Sequence, residues 1–296
     1  MTNTEDRSAA YKAIETWSDA NILAALVDGQ EHAIAAVRRA IPQIAKAAEA
    51  LAINLKNGGR LYYAGAGTSI RIGVQDGSEL PATFGMAEDR IGYLIAGGNA
   101  AIFETLADAE DNASEGTKAA SLLRPNDTLI AIAASGATPF TIAAAKCAKK
   151  KGATMIAVVN NPNSELGIAA DIEILLDTGA EVIAGSTRMG AGTAQKATLN
   201  LISTLAHIKL GAVYDAMMVN VRADNIKLKK RALGIVMLIT GTNEVTAASA
   251  LDRAKGEVKL AVLLCEDAET TDSARQRLSD AGGNLRVAMN MNLKRL

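Results

Sequence analysis

From Trp17 to Lys56 the apolar residues recur at three- and four-residue steps. They run through Ile22, Leu23 and Leu26, and again through Ile34, Val37, Ile41, Ile44, Ala48, Leu51 and Leu55. That spacing is the period of an amphipathic helix. Asn57-Gly58-Gly59 stops it. Short apolar runs then alternate with helical stretches. The runs fall at 60–65, 91–96, 128–134, 154–160 and 172–176; the longer helical stretches fall at 100–123 (broken near 108–112), 138–151 and 194–210. Such alternation predicts an α/β fold whose five-stranded parallel sheet is covered on both faces. Beyond Asn225 the pattern is helical throughout, at 226–240, 243–254, 257–265 and 270–281, punctuated by Lys255-Gly256 and Gly282-Gly283. The expected division is an N-terminal helical segment at 1–58, an α/β domain at 59–225 and a small C-terminal helical domain at 226–296.

Composition narrows the function classes. The 296 residues carry 31 Lys plus Arg against 32 Asp plus Glu, a net charge of −1, so no strong field draws in nucleic acid or an anionic membrane. Aromatics are 3% of the chain, too few for a base-stacking platform. Cys147 and Cys265 lie far apart, and His32 and His207 are the only histidines, so a Cys/His metal site is not expected. The start is polar, without the apolar stretch of a secretory signal, and no run of about 18 apolar residues occurs. The expectation is a cytoplasmic protein without nucleic-acid or membrane partners.

Parallel sheets bind ligands beyond the carboxyl ends of their strands, which directs attention to the loops after each run. Gly65-Ala66-Gly67-Thr68-Ser69-Ile70 follows the first strand and opens a helix. Its third fingerprint position holds Ile70, whose bulk opposes the close strand–helix packing of a dinucleotide site. Thr68 and Ser69 at a helix start suit a single phosphate, or equally an N-cap. A second loop of the same kind, Ala134-Ser135-Gly136-Ala137-Thr138-Pro139, favours the phosphate. Ser135 and Thr138 can face one anion, Gly136 allows close backbone approach, and Pro139 suits the first helical turn. Neither loop has the GxxxxGK[ST] form of a nucleoside triphosphate site. A monophosphorylated small molecule is the expected ligand.

These loops resemble those of sugar-isomerase (SIS) domains, which hold the phosphate of a phosphosugar. A closer resemblance, from about Thr4 to Arg286, is to the N-acetylmuramic acid 6-phosphate etherases. Its most specific block is GSTRMGAGTAQK at 185–196; GAGTS at 65–69, DGSELPATFG at 76–85, LADAED at 106–111 and MMVNVRADNIKLKKRA at 217–232 support it. The resemblance implies a three-layer SIS-type sandwich, a carbon–oxygen lyase without a cofactor, and a phosphorylated amino-sugar substrate. It also implies that Gly67, Thr68, Ser69, Ser78, Ser135, Gly136, Thr138, Ser186, Thr187 and Arg188 contact the substrate or its phosphate. The sequence departs from the family at Ile70 (family Gly), Leu80 (Cys), Ala82 (Pro), Ala137 (Arg) and Gly190 (usually Lys). The missing cation at 137 bears on the exact substrate, since a charge-assisted contact to phosphate is among the stronger ones available.

Two carboxylates complete the candidate site. Glu79 lies in DGSELP after the first loop and its helix, and Glu110 beyond the second strand. By position alone they read as solvated surface acids; the resemblance makes Glu79 the proton donor and Glu110 the base. Removing a lactyl ether by elimination requires a base for the carbon-2 proton and an acid for the departing oxygen, so the two carboxyls must differ in protonation at one pH. Apolar Leu80, Pro81 and Phe84 beside Glu79 agree with the acid role. Asp111 either orients Glu110 or marks an acidic helix start. Glu181 is expected to face the ligand, Gln195 and Lys196 to be caps or site residues, and His207 to be a core or interface residue. The rival readings are a phosphosugar isomerase, which shares the carbon-2 proton abstraction, and a phosphosugar-binding regulator without turnover. A homodimer with the site near its interface is expected from the SIS resemblance and from the apolar Met217-Met218-Val219 segment after the long helix.

Overall fold

The computed structural model describes residues 4–292 except 105, 107, 224, 268 and 269. Ala107 of the LADAED block and Asp224 of the 217–232 block therefore lie outside the described residues. The chain forms two compact units, one of residues 1–77 with 89–205 and the other of 78–88 with 206–296. These limits differ from the 58/59 and 225/226 boundaries expected from the pattern.

In the first unit, α1 (Asp19–Arg39) and α2 (Ile41–Lys56) replace the single helical stretch. Ser18 caps α1 by accepting from Asn21 N, and Pro42 sits in the first turn of α2, where its missing N–H costs nothing. Five parallel strands follow, β1 (Leu61–Gly65), β2 (Ile91–Ile95), β3 (Thr128–Ala133), β4 (Thr154–Val159) and β5 (Ile172–Leu175), each within two residues of its predicted run. Their order is β2-β1-β3-β4-β5. β1 and β3 are buried along their whole length, as central strands covered on both faces must be.

On one face Tyr62, Ala64, Leu129 and Leu94 pack with α4 (Ala113–Ala120) and α5 (Pro139–Lys150). α4 and α5 approach so closely that a Cβ at Gly116 would lie 2.1 Å from the Phe140 carbonyl oxygen. On the other face Asn54 of α2 donates from one amide to Thr128 Oγ1 (2.9 Å) and Thr154 Oγ1 (2.8 Å), fixing the starts of β3 and β4.

Asp127, 2% exposed, ties the same ends together. Its carboxylate accepts from Arg60 N (2.9 Å), Arg60 Nη2 (2.8 Å) and Arg124 N (2.9 Å). Burial pushes its pKa up, but the hydrogen bonds from Arg60 and the two backbone amides outweigh that and hold it below the usual carboxylate value.

α3 (Gly67–Phe84) continues through Pro81, so Glu79 lies within a helix rather than after one. α6 (Glu165–Ala169) is a single short turn, and α7 (Gly190–Lys209) starts four residues before the predicted helix. In the second unit a hairpin, β6 (Val213–Tyr214) with β7 (Met217–Met218), turns through Asp215 and Ala216 at φ 48° and 60°, the left-handed pair a two-residue hairpin needs. Five helices follow: α8 (Ile226–Thr240), α9 (Glu244–Arg253), α10 (Val258–Asp267), α11 (Thr271–Asp280) and α12 (Leu285–Asn292). Their core holds Val219, Val221, Ile235, Val236 and Leu260 to Leu264, with Met217 and Met218 packed against it. Val219 thus belongs to this core, while Met217 and Met218 pack against it and stay half-buried. Among the described residues, no single helix is long and apolar enough to cross a membrane.

Candidate active site

The strand order reverses between β1 and β3, since β2 lies to one side of β1 and β3 to the other. At such a switch point the loops leave in opposite directions and open a crevice at the strand ends. A cavity of about 470 Å³ lies there, lined by Ala66 to Ser69 after β1 and by Ala134, Ser135, Ala137 and Thr138 after β3. Gly67 takes φ +52° and Gly136 φ +64°. A Cβ at Gly136 would come within 2.4 Å of Ser164, so the loop has no room for a larger residue. Ser135 Oγ accepts from Ala137 N at 3.2 Å, which shapes the turn. Thr138 precedes α5 without a side-chain cap, so its hydroxyl remains available to a ligand. Thr68 and Ser69 stand inside the first turn of α3. Hydroxyls and two helix N-termini thus meet in one cavity, an arrangement that favours an anion.

Ile70 is fully buried. A Cβ at Gly65 would meet the Ile132 carbonyl oxygen at 2.9 Å and Ile70 Cβ at 3.4 Å. Gly65 makes the room, which answers the packing objection raised by the sequence. The close approach of α3 to the sheet falls at Gly73 and Gly77; a Cβ at Gly77 would lie 2.6 Å from Tyr93 Oη.

One turn before Glu79, Asp76 is 4% exposed and accepts from Tyr63 Oη (2.6 Å), Asn200 Nδ2 (2.6 Å) and Ser203 Oγ (3.1 Å). Burial, then the Asp76 charge, raises the Tyr63 hydroxyl well above its ordinary pKa; the same causes push Tyr93 up to about 12. Tyr63 therefore stays a donor, and β1, α3 and α7 are locked together by one carboxylate.

Glu110 lines the cavity beside Asp111, with its side chain exposed. Its backbone carbonyl accepts from Phe140 N at 2.9 Å, which joins the acidic segment to the start of α5. Asn112, not Asp111, caps α4, accepting from Glu115 N at 3.1 Å. Thr187 also reaches the cavity, whereas Ser186 and Arg188 are not among its lining residues. Ser78 and Glu79 belong to the second unit and are exposed. Leu80 (3% exposed) and Phe84 (7%) are turned inward while Glu79 is not, so the apolar setting expected around Glu79 is absent in this chain.

Glu181 does not face a ligand. It is 5% exposed and accepts from Gly190 N and Ala191 N, both at 2.9 Å. A carboxylate at the positive end of α7 is satisfied by those amides. Gln195 is likewise structural, donating to Asn160 Oδ1 at 3.0 Å, and exposed Lys196 pairs with Asn200. His207 is buried and stacks on Phe84 at 4.5 Å between ring centroids.

Glu5 is a lining residue that the sequence did not single out. The chain start is held there by Thr4 N to Asn161 Oδ1 (3.0 Å) and Asn161 Nδ2 to Thr4 Oγ1 (2.8 Å). Glu5, Glu110 and Asp111 are the charged groups of the cavity, and no cation lines it among the described residues. Nor do those residues contain three His, Cys, Asp or Glu side chains grouped to hold a metal.

A 2-1-3-4-5 parallel sheet with a hydroxyl-lined cavity at its switch point defines a doubly wound α/β domain, and residues 30–160 match the family model of the SIS domain. The chain is 44% identical over 261 residues to an N-acetylmuramic acid 6-phosphate etherase of Symbiobacterium thermophilum, covering 88% of this chain and 87% of that one. It is 42% identical over 288 residues to the etherase of Deinococcus radiodurans, covering 97% and 94%. The chain belongs to the N-acetylmuramic acid 6-phosphate etherase family. Among solved structures it is similar to a phosphoheptose isomerase from Francisella tularensis, 22% identical with a TM-score of 0.49, covering 65% of this chain and 98% of that one.

Proposed function

We infer that this protein cleaves the lactyl ether of N-acetylmuramic acid 6-phosphate, giving N-acetylglucosamine 6-phosphate and D-lactate. The observation that carries the reading is 42% identity to an etherase over 97% of the chain. The cavity at the β1 and β3 ends supports it, because Ser69, Ser135 and Thr138 converge there from separate loops. In this reading they bind the phosphate, helped by the amides of Gly67, Thr68 and Gly136 and by the α5 dipole. Thr187, with Ser186 and Arg188 beside it, contacts the sugar, as does Ser78.

Chemistry follows from two carboxyls in opposite protonation states. In the ring-opened sugar the aldehyde acidifies the carbon-2 proton. Glu110, ionised, takes that proton; the carbon-3–oxygen bond breaks, and Glu79, protonated, gives its proton to the departing lactate oxygen. Water then adds to the conjugated double bond at carbon 3, and carbon 2 regains a proton. The sum is substrate plus water to sugar phosphate plus lactate, with no cofactor. Residues 59–225 form the sugar-phosphate domain of this scheme, with 1–58 and 226–296 as its helical flanks. The protein works in the cytoplasm, where a charged sugar phosphate is retained by the membrane.

Release of D-lactate from N-acetylmuramic acid 6-phosphate tests the reading directly. Isomerised sugar without lactate would instead indicate an aldose–ketose isomerase, and binding without turnover a regulator. Single Ser135→Ala and Thr138→Ala changes are expected to raise KM about tenfold each, a lost hydrogen bond to a charged group being worth about 1.5–3 kcal/mol.

The active form is a homodimer with the site near its interface. Leu23, Val27 and Ile34 form an exposed apolar stripe on α1, and Leu201 and Ile208 lie seven residues apart, exposed, on α7. Closed two-fold pairing is the commonest way to cover such surface. Light scattering should give twice 30.7 kDa; a fully active monomer at micromolar concentration would overturn the dimer.

A further inference from the structure

The second unit contains a cavity of about 850 Å³ that the etherase chemistry leaves unused. One wall is Val219 to Ala223, within the 217–232 block that the sequence singled out. Val221, Leu251 and Leu278 give it apolar surface, and Glu257 with the start of α10 (Val258 and Lys259) closes one side. Four cations line it, Arg222, Lys229, Lys255 and Lys259, against two acids, Asp252 and Glu257. Glu257 is paired with Arg275 through two hydrogen bonds of 2.9 and 3.2 Å and Arg222 with Glu88 at 3.8 Å, which leaves Lys229, Lys255 and Lys259 against Asp252, a positive balance.

Lys259 is the unusual member. It is only 8% exposed and sits next to the fully buried Leu260, Ala261 and Val262. An ammonium has three N–H donors; one goes to the Gly283 carbonyl oxygen at 2.6 Å. Burial pushes its pKa down to about 8, a sign of how little compensates its charge. Among the described residues Lys259 has no ion pair, a rare setting for a lysine buried this far. Lys255, another lining residue, adds a second departure, standing at φ +52° ahead of Gly256 at φ +83°.

We propose that this cavity is a second anion site, which takes a small phosphorylated metabolite. A phosphate monoester is a dianion with several acceptor oxygens, and it suits several converging cations and a helix N-terminus better than a single carboxylate does. The apolar wall covers the carbon skeleton of the ligand. The cavity shares no lining residue with the pocket at the strand ends. The inference rests on the etherase reading only for the first equivalent, at the strand ends; amide exchange at 219–223 and 255–260 reads the second site whether or not that reading holds.

The test is calorimetric titration of the whole protein with N-acetylglucosamine 6-phosphate and, separately, with inorganic phosphate. Two equivalents per chain are expected with at least one probe. Arg222→Gln combined with Lys255→Gln, both at exposed side chains that a folded protein tolerates, should weaken one of them about tenfold or more and leave lactate release unchanged. Ser135→Ala with Thr138→Ala should weaken the other. Amide exchange should slow at 219–223 and 255–260 when the second equivalent binds. Lys259→Gln adds a harsher version of the same test. No slowing at 219–223 and 255–260 with either probe overturns the proposal. So does a second equivalent that survives the Arg222/Lys255 double change with no slowing at those segments.

Discussion

Glu110→Gln lowers D-lactate release by about 10²–10⁴-fold, the range that a positioned general base supplies, and it also stops exchange of the carbon-2 proton with solvent. The amide keeps the size of the side chain and its place beside Asp111 but cannot accept the proton. Glu79→Gln is expected to stop lactate release while leaving carbon-2 exchange measurable, because the acid serves the leaving group alone. Exchange followed by NMR in deuterium oxide, alongside lactate release, separates the two. Wild-type lactate release from Glu79→Gln removes that residue from the acid role. Glu79 belongs to the second unit and Glu110 lines the cavity of the first. Mixing the two inactive variants therefore asks which chain supplies each group: recovered activity means that the carboxyls come from different protomers.

Asp127→Ala is expected to destabilise the protein by about 3–5 kcal/mol, the range seen when a buried charged network loses one member. The change frees the Arg60 and Arg124 amides at the starts of β1 and β3, where backbone groups must be paired. Arg60 is partly exposed and recovers some hydration, which favours the lower part of that range. The effect carries a pH signature. A folded pKa held below the ordinary 3.8 means that the carboxylate's contribution is fully present above about pH 4 and is lost as pH falls through the folded value. Urea unfolding at pH 7 and at pH 3 should show the wild-type advantage shrinking at the lower pH. An advantage that is equal at both would mean that the charge of Asp127 is not what holds the strand ends.

How far the sequence reached differs between fold and site. All five strands fell within two residues of their runs because each is a short buried segment bounded by turn residues, and that information is local. The loops that hold Gly67, Thr68, Ser69, Ser135, Gly136 and Thr138 were legible for the same reason: a strand, a glycine-containing turn and a helix start are consecutive in the chain. The blocks at 65–85 and 185–196 carry the family resemblance in consecutive residues as well.

Other features depend on contacts between distant segments. Glu181 faces the α7 amides instead of a ligand because α7 begins four residues earlier than its periodicity suggested. Glu5 reaches the cavity through Asn161, which is 157 residues from its partner Thr4. The room for Ile70 comes from Gly65 across a helix–strand contact, and Met217 to Val219 pack on the core of the second unit where a hairpin reverses the chain. What the sequence determined by itself was the order of elements, the phosphate-type loops and the family, all set by neighbours along the chain. Which hydroxyls share one cavity, which carboxylates are capped rather than exposed, and where Lys259 lies buried were decided only by tertiary packing. Burial and hydrogen-bond partners at those positions come from residues that no local pattern brings together.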